Sequence, residues 1–326
     1  MNEIKRIGVF TSGGDAPGMN AAIRAVVRSC IYYGKQVYGI YQGYTGLING
    51  EIEEMGARSV SHIIQRGGTI LKSARSKEFR TVEGRQKAYE NIKKFNLDAL
   101  IAIGGDGTFA GLNVFYNEHK VPSICIPGTI DNDLPGTDYT IGYDTATNTA
   151  VEAIDKIRDT ALSHNRLFFI EVMGRDSGQI AINSGLAGGA VAILVPEEET
   201  TIEELIAKLE QTSKNDKKSS LVVVAEGGKS GNAMEIAQKV TEKFSYYESK
   251  VTILGHLQRG GVPTYFDRVL ASKFGVAAVE GILNGKNNVM VGIRGRSLVY
   301  NSFDEMKEMW PEIDTESLRI SKILSI

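Results

Sequence analysis

Apolar, strand-like runs alternate with helix-like stretches along most of this chain, and that rhythm limits the fold more than any other feature. The runs fall at residues 6–11, 36–41, 99–103, 123–127, 167–172, 190–195, 221–225 and 289–293. Several, such as ALIAI at 99–103 and LVVVA at 221–225, show no polar alternation. Strands covered by helices on both faces read this way. Helical spacing predicts helices over 18–33, 84–95, 108–118, 145–163, 202–212, 232–244 and 267–283. The resulting βαβα order predicts an α/β fold of doubly wound, mainly parallel sheets.

A chain of 326 residues exceeds one comfortable hydrophobic core, so two domains are expected. Breaks at 136–140 and 213–220 are too short for linkers, and both consecutive and interleaved domains remain open. The net charge of -2 argues against nucleic acid or a membrane surface as partner. An anionic substrate must be met by local basic groups. Two cysteines, Cys30 and Cys125, with no CxxC spacing, argue against a disulfide scaffold and a structural zinc site. The opening MNEIKRIGVF is too short for a signal peptide, and no run reaches the ~18 apolar residues of a membrane span. The expected location is the cytoplasm.

Three glycine-rich loops follow predicted strands, where open α/β sheets bind ligands. The first is TSGGDAPGMN at 11–20. Gly13 and Gly14 permit close backbone approach, and the turn into a helix can hold phosphate; a plain βα turn fits equally. The second is IGGDGT at 103–108. Asp106, among Gly104, Gly105 and Gly107, reads either as a Mg²⁺ ligand beside phosphates or as a helix N-cap. The third, PGTIDND at 127–133, sets Asp131 and Asp133 two residues apart. In an extended segment both would point one way and divide orienting and proton-accepting work; an Asx-turn is the alternative. No GxxxxGK[ST] and no GxGxxG after the first strand is present, which disfavours Walker A and common dinucleotide sites.

Phosphoryl transfer asks a protein to position groups and neutralise charge. Arg75, Arg80, Arg166, Arg175 and Arg259 are the cations suited to that work. Arg175 and Arg259 stand in glycine-bounded loops, where an arginine suits anion binding. His256 lies between Gly255 and Gly260 and suits hydrogen bonding to hydroxyls or phosphate.

TSGGDAPGMN, GGDGT, PGTIDND, EVMGR and GHLQRGG occur in this order. Together they make the chain resemble the bacterial ATP-dependent 6-phosphofructokinases over essentially its whole length. The resemblance implies two similar α/β/α sandwich domains, discontinuous in sequence: 1–140 plus 254–304 for ATP, and 141–253 plus 305–326 for fructose 6-phosphate. It implies transfer of the ATP γ-phosphoryl to the sugar's 1-hydroxyl in glycolysis, with Mg²⁺, by a homotetramer. Asp131 would be the general base, with Thr129, Arg175, Gly14 and Arg75 as its catalytic companions and Asp133 beside it. Gly14, Tyr44 or nearby Tyr41, Arg75, Ser76, Gly105, Asp106, Gly107, Thr108 and Gly111 would surround ATP, with Asp106 serving the metal. Thr129, Ile130, Asp131, Met173, Gly174, Arg175, Glu226, His256, Leu257, Gln258 and Arg259 would hold the sugar phosphate, joined by Arg166 and Lys250 from a neighbouring subunit. Pyrophosphate-dependent relatives typically carry Asp at the Gly107 position and Lys at the Gly128 position, so both glycines favour ATP over pyrophosphate as donor.

Departures from the pattern concern anion sites. Lys250 stands where arginine is usual, which keeps the charge and loses the planar fork. An effector site for ADP or phosphoenolpyruvate is matched by Arg24, Arg28, Arg158, Gly189 and Lys217. Ala57 replaces an arginine there, although Arg58 is adjacent. Val191 replaces a glutamate, and Asn215 a lysine. Weak effector binding is therefore expected, since charged contacts contribute about 1.5–3 kcal/mol each.

Overall fold

The computed structural model describes residues 3–162, 166–214, 220–309 and 313–325. Strands and helices follow in the order β1 (Arg6–Thr11), α1 (Met19–Tyr32), β2 (Gln36–Ile40), α2 (Tyr44–Asn49), β3 (Ile52–Met55), α3 (Val82–Lys94), β4 (Ala99–Gly104), α4 (Asp106–His119), β5 (Ser123–Pro127) and α5 (Tyr143–Leu162). They continue with β6 (Arg166–Val172), α6 (Gln179–Ala187), β7 (Ala192–Leu194), α7 (Ile202–Lys214), β8 (Ser220–Ala225), α8 (Ala233–Lys243) and β9 (Glu248–Ile253). The last are α9 (Tyr265–Leu283), β10 (Val289–Arg294), β11 (Ser297–Ser302), α10 (Phe303–Lys307) and α11 (Thr315–Leu324). The chain forms two interleaved units. One comprises Met1–Ile130, Leu134–Asp144 and Arg259–Pro311; the other comprises Asp131–Asp133, Thr145–Gln258 and Glu312–Ile326.

In the first unit seven strands lie in the order β11-β10-β5-β4-β1-β2-β3. The five central strands are parallel, and both edge strands, β3 and β11, run antiparallel to their neighbours. Side chains alternate across the sheet. Phe10, Leu100, Ala102, Cys125 and Met290 face a cluster with Leu47, Ile92, Leu112 and Phe115 of α2, α3 and α4. Ile124, one residue from Cys125, faces the opposite way and meets α9 at Gly281. That double cover explains why these strands are apolar throughout. Burial pushes the Cys30 thiol up to about 12 and the Cys125 thiol up as well, so both behave as small core residues.

The second unit holds a four-stranded parallel sheet in the order β7-β8-β6-β9. Leu167, Phe169, Val222 and Val224 pack on α7 and α8 residues such as Leu205, Leu209, Ile236 and Val240. Ile193 and Val223 face the other side, against Gly185 of α6. Among the described residues no helix is long and apolar enough to cross a membrane.

Several local expectations change. The helix expected at 84–95 starts at Val82, because the Thr81 side chain accepts the Gly84 N–H. The strand expected at 190–195 is confined to Ala192–Leu194. Strands β3, β9 and β11 and helices α2, α6, α10 and α11 lie outside the expected set. The N-cap of α4 is Gly105, not Asp106, which is the first helical residue.

Candidate active site

In the first unit β2 and β4 lie on opposite sides of β1. The strand order therefore reverses beside β1, and a crevice at the carboxyl ends of such strands is the natural ligand position. Three glycine loops meet there. Ser12 N–H donates to Ile103 O at 3.0 Å, and Gly128 N–H donates to Gly104 O at 2.8 Å. The Thr108 hydroxyl donates to Ser12 O at 3.2 Å. Gly104 is required by this approach, since a Cβ would collide with Thr108 Oγ1 and Ser12 O. From the other side Thr11 Oγ1 donates to Lys72 O at 2.7 Å, and Ser73 Oγ donates to Gly13 O at 2.9 Å. These bonds tie the segment just before Arg75 and Ser76 to the first loop. Ser73 was not singled out from the sequence, although it opens the same SARS tetrapeptide as Arg75.

Arg259 also belongs to this first unit. Its Nη1 donates to Asp15 O at 3.2 Å and lies against Gly14. Asp106 and Gly107 are exposed, and a Cβ at Gly107 would meet nothing within 4 Å. Packing therefore does not dictate glycine at 107. Among the described residues no group of three His, Cys, Asp or Glu side chains could cage a metal. One exposed carboxylate beside a helix N-terminus does fit a Mg²⁺ that arrives on phosphates and keeps its waters.

Tyr44, expected at the nucleotide, is a core residue. Its ring stacks on Phe79 with centroids 3.9 Å apart, and its hydroxyl donates to Thr108 O at 2.5 Å. Burial raises its pKa well above the usual phenol value. Tyr41 is only half-buried and keeps the alternative open. Gly111 of α4 packs on the Tyr44 ring.

In the second unit β8 and β9 flank β6, so three adjacent strands deliver loops to one edge. The loop after β6 carries Met173, Gly174 and Arg175. Gly174 has φ 151, and a Cβ there would collide with Ser177 O. Arg175 has φ 52, a left-handed conformation that costs a non-glycine residue about 1–3 kcal/mol. It is stabilised by a side chain from the loop after β8: Glu226 Oε1 accepts the Arg175 N–H at 3.1 Å. Arg175 Nε then lies 3.8 Å from Asp131 Oδ2. Asp131 is only 3% exposed. The extended geometry expected for Asp131 and Asp133 is not adopted, because Asn132 between them has φ 49 and turns the chain. Thr129 and Ile130, at the end of the first unit's segment, are buried, and Thr129 O accepts the Thr140 hydroxyl at 2.6 Å.

The loop after β9 is a short 3₁₀ turn, Gly255–Arg259. His256 and Leu257 are exposed, whereas Gln258 is 0% exposed. Gln258, expected to touch substrate, instead accepts the Met173 N–H through Oε1 at 2.8 Å. Arg166 and Lys250 meet on β6 and β9: Glu248 takes Arg166 Nε at 3.0 Å and Lys250 Nζ at 2.5 Å. Of the expected effector residues, Arg24, Arg28 and Arg58 lie in the first unit, and Arg158 and Gly189 lie in the second. Arg158 donates to Gly189 O at 3.2 Å. Val191 is a core side chain at 1% exposure. Asn215 and Lys217 fall outside the described residues.

The sequence model of the Phosphofructokinase family matches residues 6–282. An ATP-dependent 6-phosphofructokinase 2 of Bacteroides thetaiotaomicron is 53% identical over 326 residues, covering 100% of both chains. An ATP-dependent 6-phosphofructokinase 1 of Thermus thermophilus is 54% identical over 323 residues, covering 99% of this chain and 100% of its own. Among solved structures, Pichia pastoris phosphofructokinase in the T-state matches with TM-score 0.88 and 35% identity, over 99% of this chain and 37% of that one. This chain thus spans well under half of that yeast chain. A pyrophosphate-dependent phosphofructokinase of Marinobacter aquaeolei matches with TM-score 0.83 at 24% identity, over 96% of this chain and 86% of that one, and this likeness speaks to the fold alone.

Proposed function

This chain belongs to the phosphofructokinase family, and we propose that it transfers the γ-phosphoryl group of ATP to the 1-hydroxyl of fructose 6-phosphate. The products are fructose 1,6-bisphosphate and ADP, and the setting is cytoplasmic glycolysis. The single observation that carries the reading is the buried Asp131 carboxylate held 3.8 Å from a guanidinium, Arg175, whose backbone is fixed by Glu226.

As the 1-hydroxyl oxygen forms its bond to the γ-phosphorus, Asp131 accepts the hydroxyl proton. The bond from that phosphorus to the β–γ bridging oxygen breaks, and ADP leaves. Arg175 balances the negative charge that spreads over the transferring oxygens. Met173, Gly174, Glu226 and His256 orient the sugar phosphate. The loops at 11–14 and 104–108, with Arg75 and Ser76, hold the nucleotide by backbone N–H groups and local charge. Asp106 would hold Mg²⁺, which neutralises phosphate charge when bound. Arg259, whose Nη1 donates to Asp15 O, would serve phosphate in this reading.

Gly107 supports ATP as the donor. Its surroundings are open, so glycine there leaves space that an aspartate would fill with repelling charge. The assembly proposed is a homotetramer, with Arg166 and Lys250 serving a neighbouring copy's sugar phosphate. The effector response proposed is weak, because Val191 puts an apolar core side chain where a carboxylate would be needed and Ala57 removes a cation. Assaying fructose 6-phosphate with ATP and with pyrophosphate, each with Mg²⁺, tests the reaction. Turnover with ATP alone is expected. Turnover with pyrophosphate alone, or with neither, would overturn the reading.

A further inference from the structure

We propose that Gln258 is a positioning residue that sets the Met173–Gly174–Arg175 segment from inside the second unit, and does not itself bind substrate. The inference rests on the function proposed above.

A side chain with no accessible surface cannot touch a dissolved sugar phosphate, even though Leu257 beside it is 70% exposed. The Gln258 amide is oriented by its partner. Met173 N–H can only donate, so the atom facing it at 2.8 Å is the oxygen. That choice buries Nε2 without a hydrogen-bond partner. Leucine or methionine would fill similar volume with no stranded donor, so packing does not account for a glutamine. The service it provides is an acceptor for Met173 N–H.

Met173 is the first residue beyond β6. The next two residues leave ordinary backbone space, Gly174 at φ 151 and Arg175 at φ 52. Their tethers alternate: Gln258 holds the N–H of 173, and Glu226 holds the N–H of 175. Each tether comes from a loop after a strand that neighbours β6. Gln258 therefore locks the near end of a strained turn whose far end presents Arg175 to Asp131. Without that acceptor the turn relaxes, and the guanidinium loses its fixed distance to the carboxylate.

The test uses the full chain, with Gln258→Leu and Gln258→Glu, the second of which keeps an acceptor oxygen. In Gln258→Leu the KM for fructose 6-phosphate should rise about tenfold or more while the KM for ATP stays within about twofold. Gln258→Glu should recover most of the loss. In an Arg175→Ala background, Gln258→Leu should add less than about twofold to the loss in kcat/KM, because the two act through one segment. Unchanged KM values, with or without a lower Tm, would overturn the proposal. So would equal damage from both substitutions, or a full additive loss beside Arg175→Ala. If Gln258→Leu does not fold, Gln258→Met gives the same acceptor-free comparison. Hydrogen exchange on the wild-type peptide around Met173 supplies a reading independent of activity: slow exchange supports the bond, and exchange at the rate of an open loop contradicts it. Failure of the wild type to turn over would strike the proposed reaction and leave that exchange measurement to decide Gln258.

Discussion

Arg175 faces Asp131 across 3.8 Å from a backbone that is left-handed at φ 52. A residue kept in such a conformation by a neighbour's carboxylate marks a place where position matters more than local stability. Glu226, through the Arg175 N–H, is what makes that conformation tolerable.

The open surroundings of Gly107 predict a clean separation of folding from binding. Gly107→Asp should leave Tm essentially unchanged. It should lower kcat/KM for ATP by about tenfold or more, the equivalent of about 1.4 kcal/mol. A large fall in Tm, or unchanged use of ATP, would show that glycine at 107 serves another purpose.

Arg166, Lys250 and Glu248 form an exposed cluster on β6 and β9. Hydrogen bonds from Lys250, and next from Arg166, pull the Glu248 carboxyl from 4.5 down to about 2. A depressed carboxyl gives an interaction present above pH 4.5 and lost as pH falls through about 2. Because solvent screens the cluster, its measurable signature is the titration and not overall stability. An NMR titration should place Glu248 close to its depressed value, and Lys250→Met should move the midpoint up. An ordinary carboxylate midpoint in the wild type would contradict the geometry.

Arg166→Ser should chiefly raise the KM for the sugar phosphate, with kcat little changed. Its guanidinium is tied to Glu248 on the neighbouring strand, so the side chain is held and not freely mobile. An unchanged KM would remove Arg166 from the phosphate site.

Arg85 is 8% exposed and makes paired bonds to Glu118 at 2.6 and 2.7 Å. It also donates to Phe79 O and Arg80 O at 3.1 and 2.8 Å. Arg85→Leu should cost about 2–3 kcal/mol by stranding these acceptors, read as a lower Tm. A Tm equal to wild type would show that the ion pair contributes nothing net.

Val191, which packs in the core at 1% exposure, is one of the departures on which the proposed weak effector response rests. Millimolar ADP or phosphoenolpyruvate should change the KM for fructose 6-phosphate by less than about twofold, a small coupling free energy. A many-fold shift would overturn the expectation.

Much of this was legible in the sequence for a simple reason. Strands β1, β4, β5, β6 and β8 lie inside their sheets, and burial on both faces writes an unbroken apolar run. The missed strands β3, β9 and β11 are all sheet edges, where one side meets solvent and IEEM or ESKVTI reads as polar. Gly104 was legible as a glycine of close approach, because a Cβ there would collide with Thr108 Oγ1 and Ser12 O. Side-chain direction was not legible. Tyr44 and Gln258, expected at the nucleotide and the sugar phosphate, point into the interior, and Asn132 turns a segment that spacing alone reads as extended.

The most direct test of the central claim is Asp131→Ser, with kcat and fructose 6-phosphate binding measured side by side on the same preparation. The account predicts a kcat lower by about two to four orders of magnitude, with the sugar's Kd largely retained, because the base acts mainly in the transition state. A kcat near wild type, or a loss confined to binding, would contradict it.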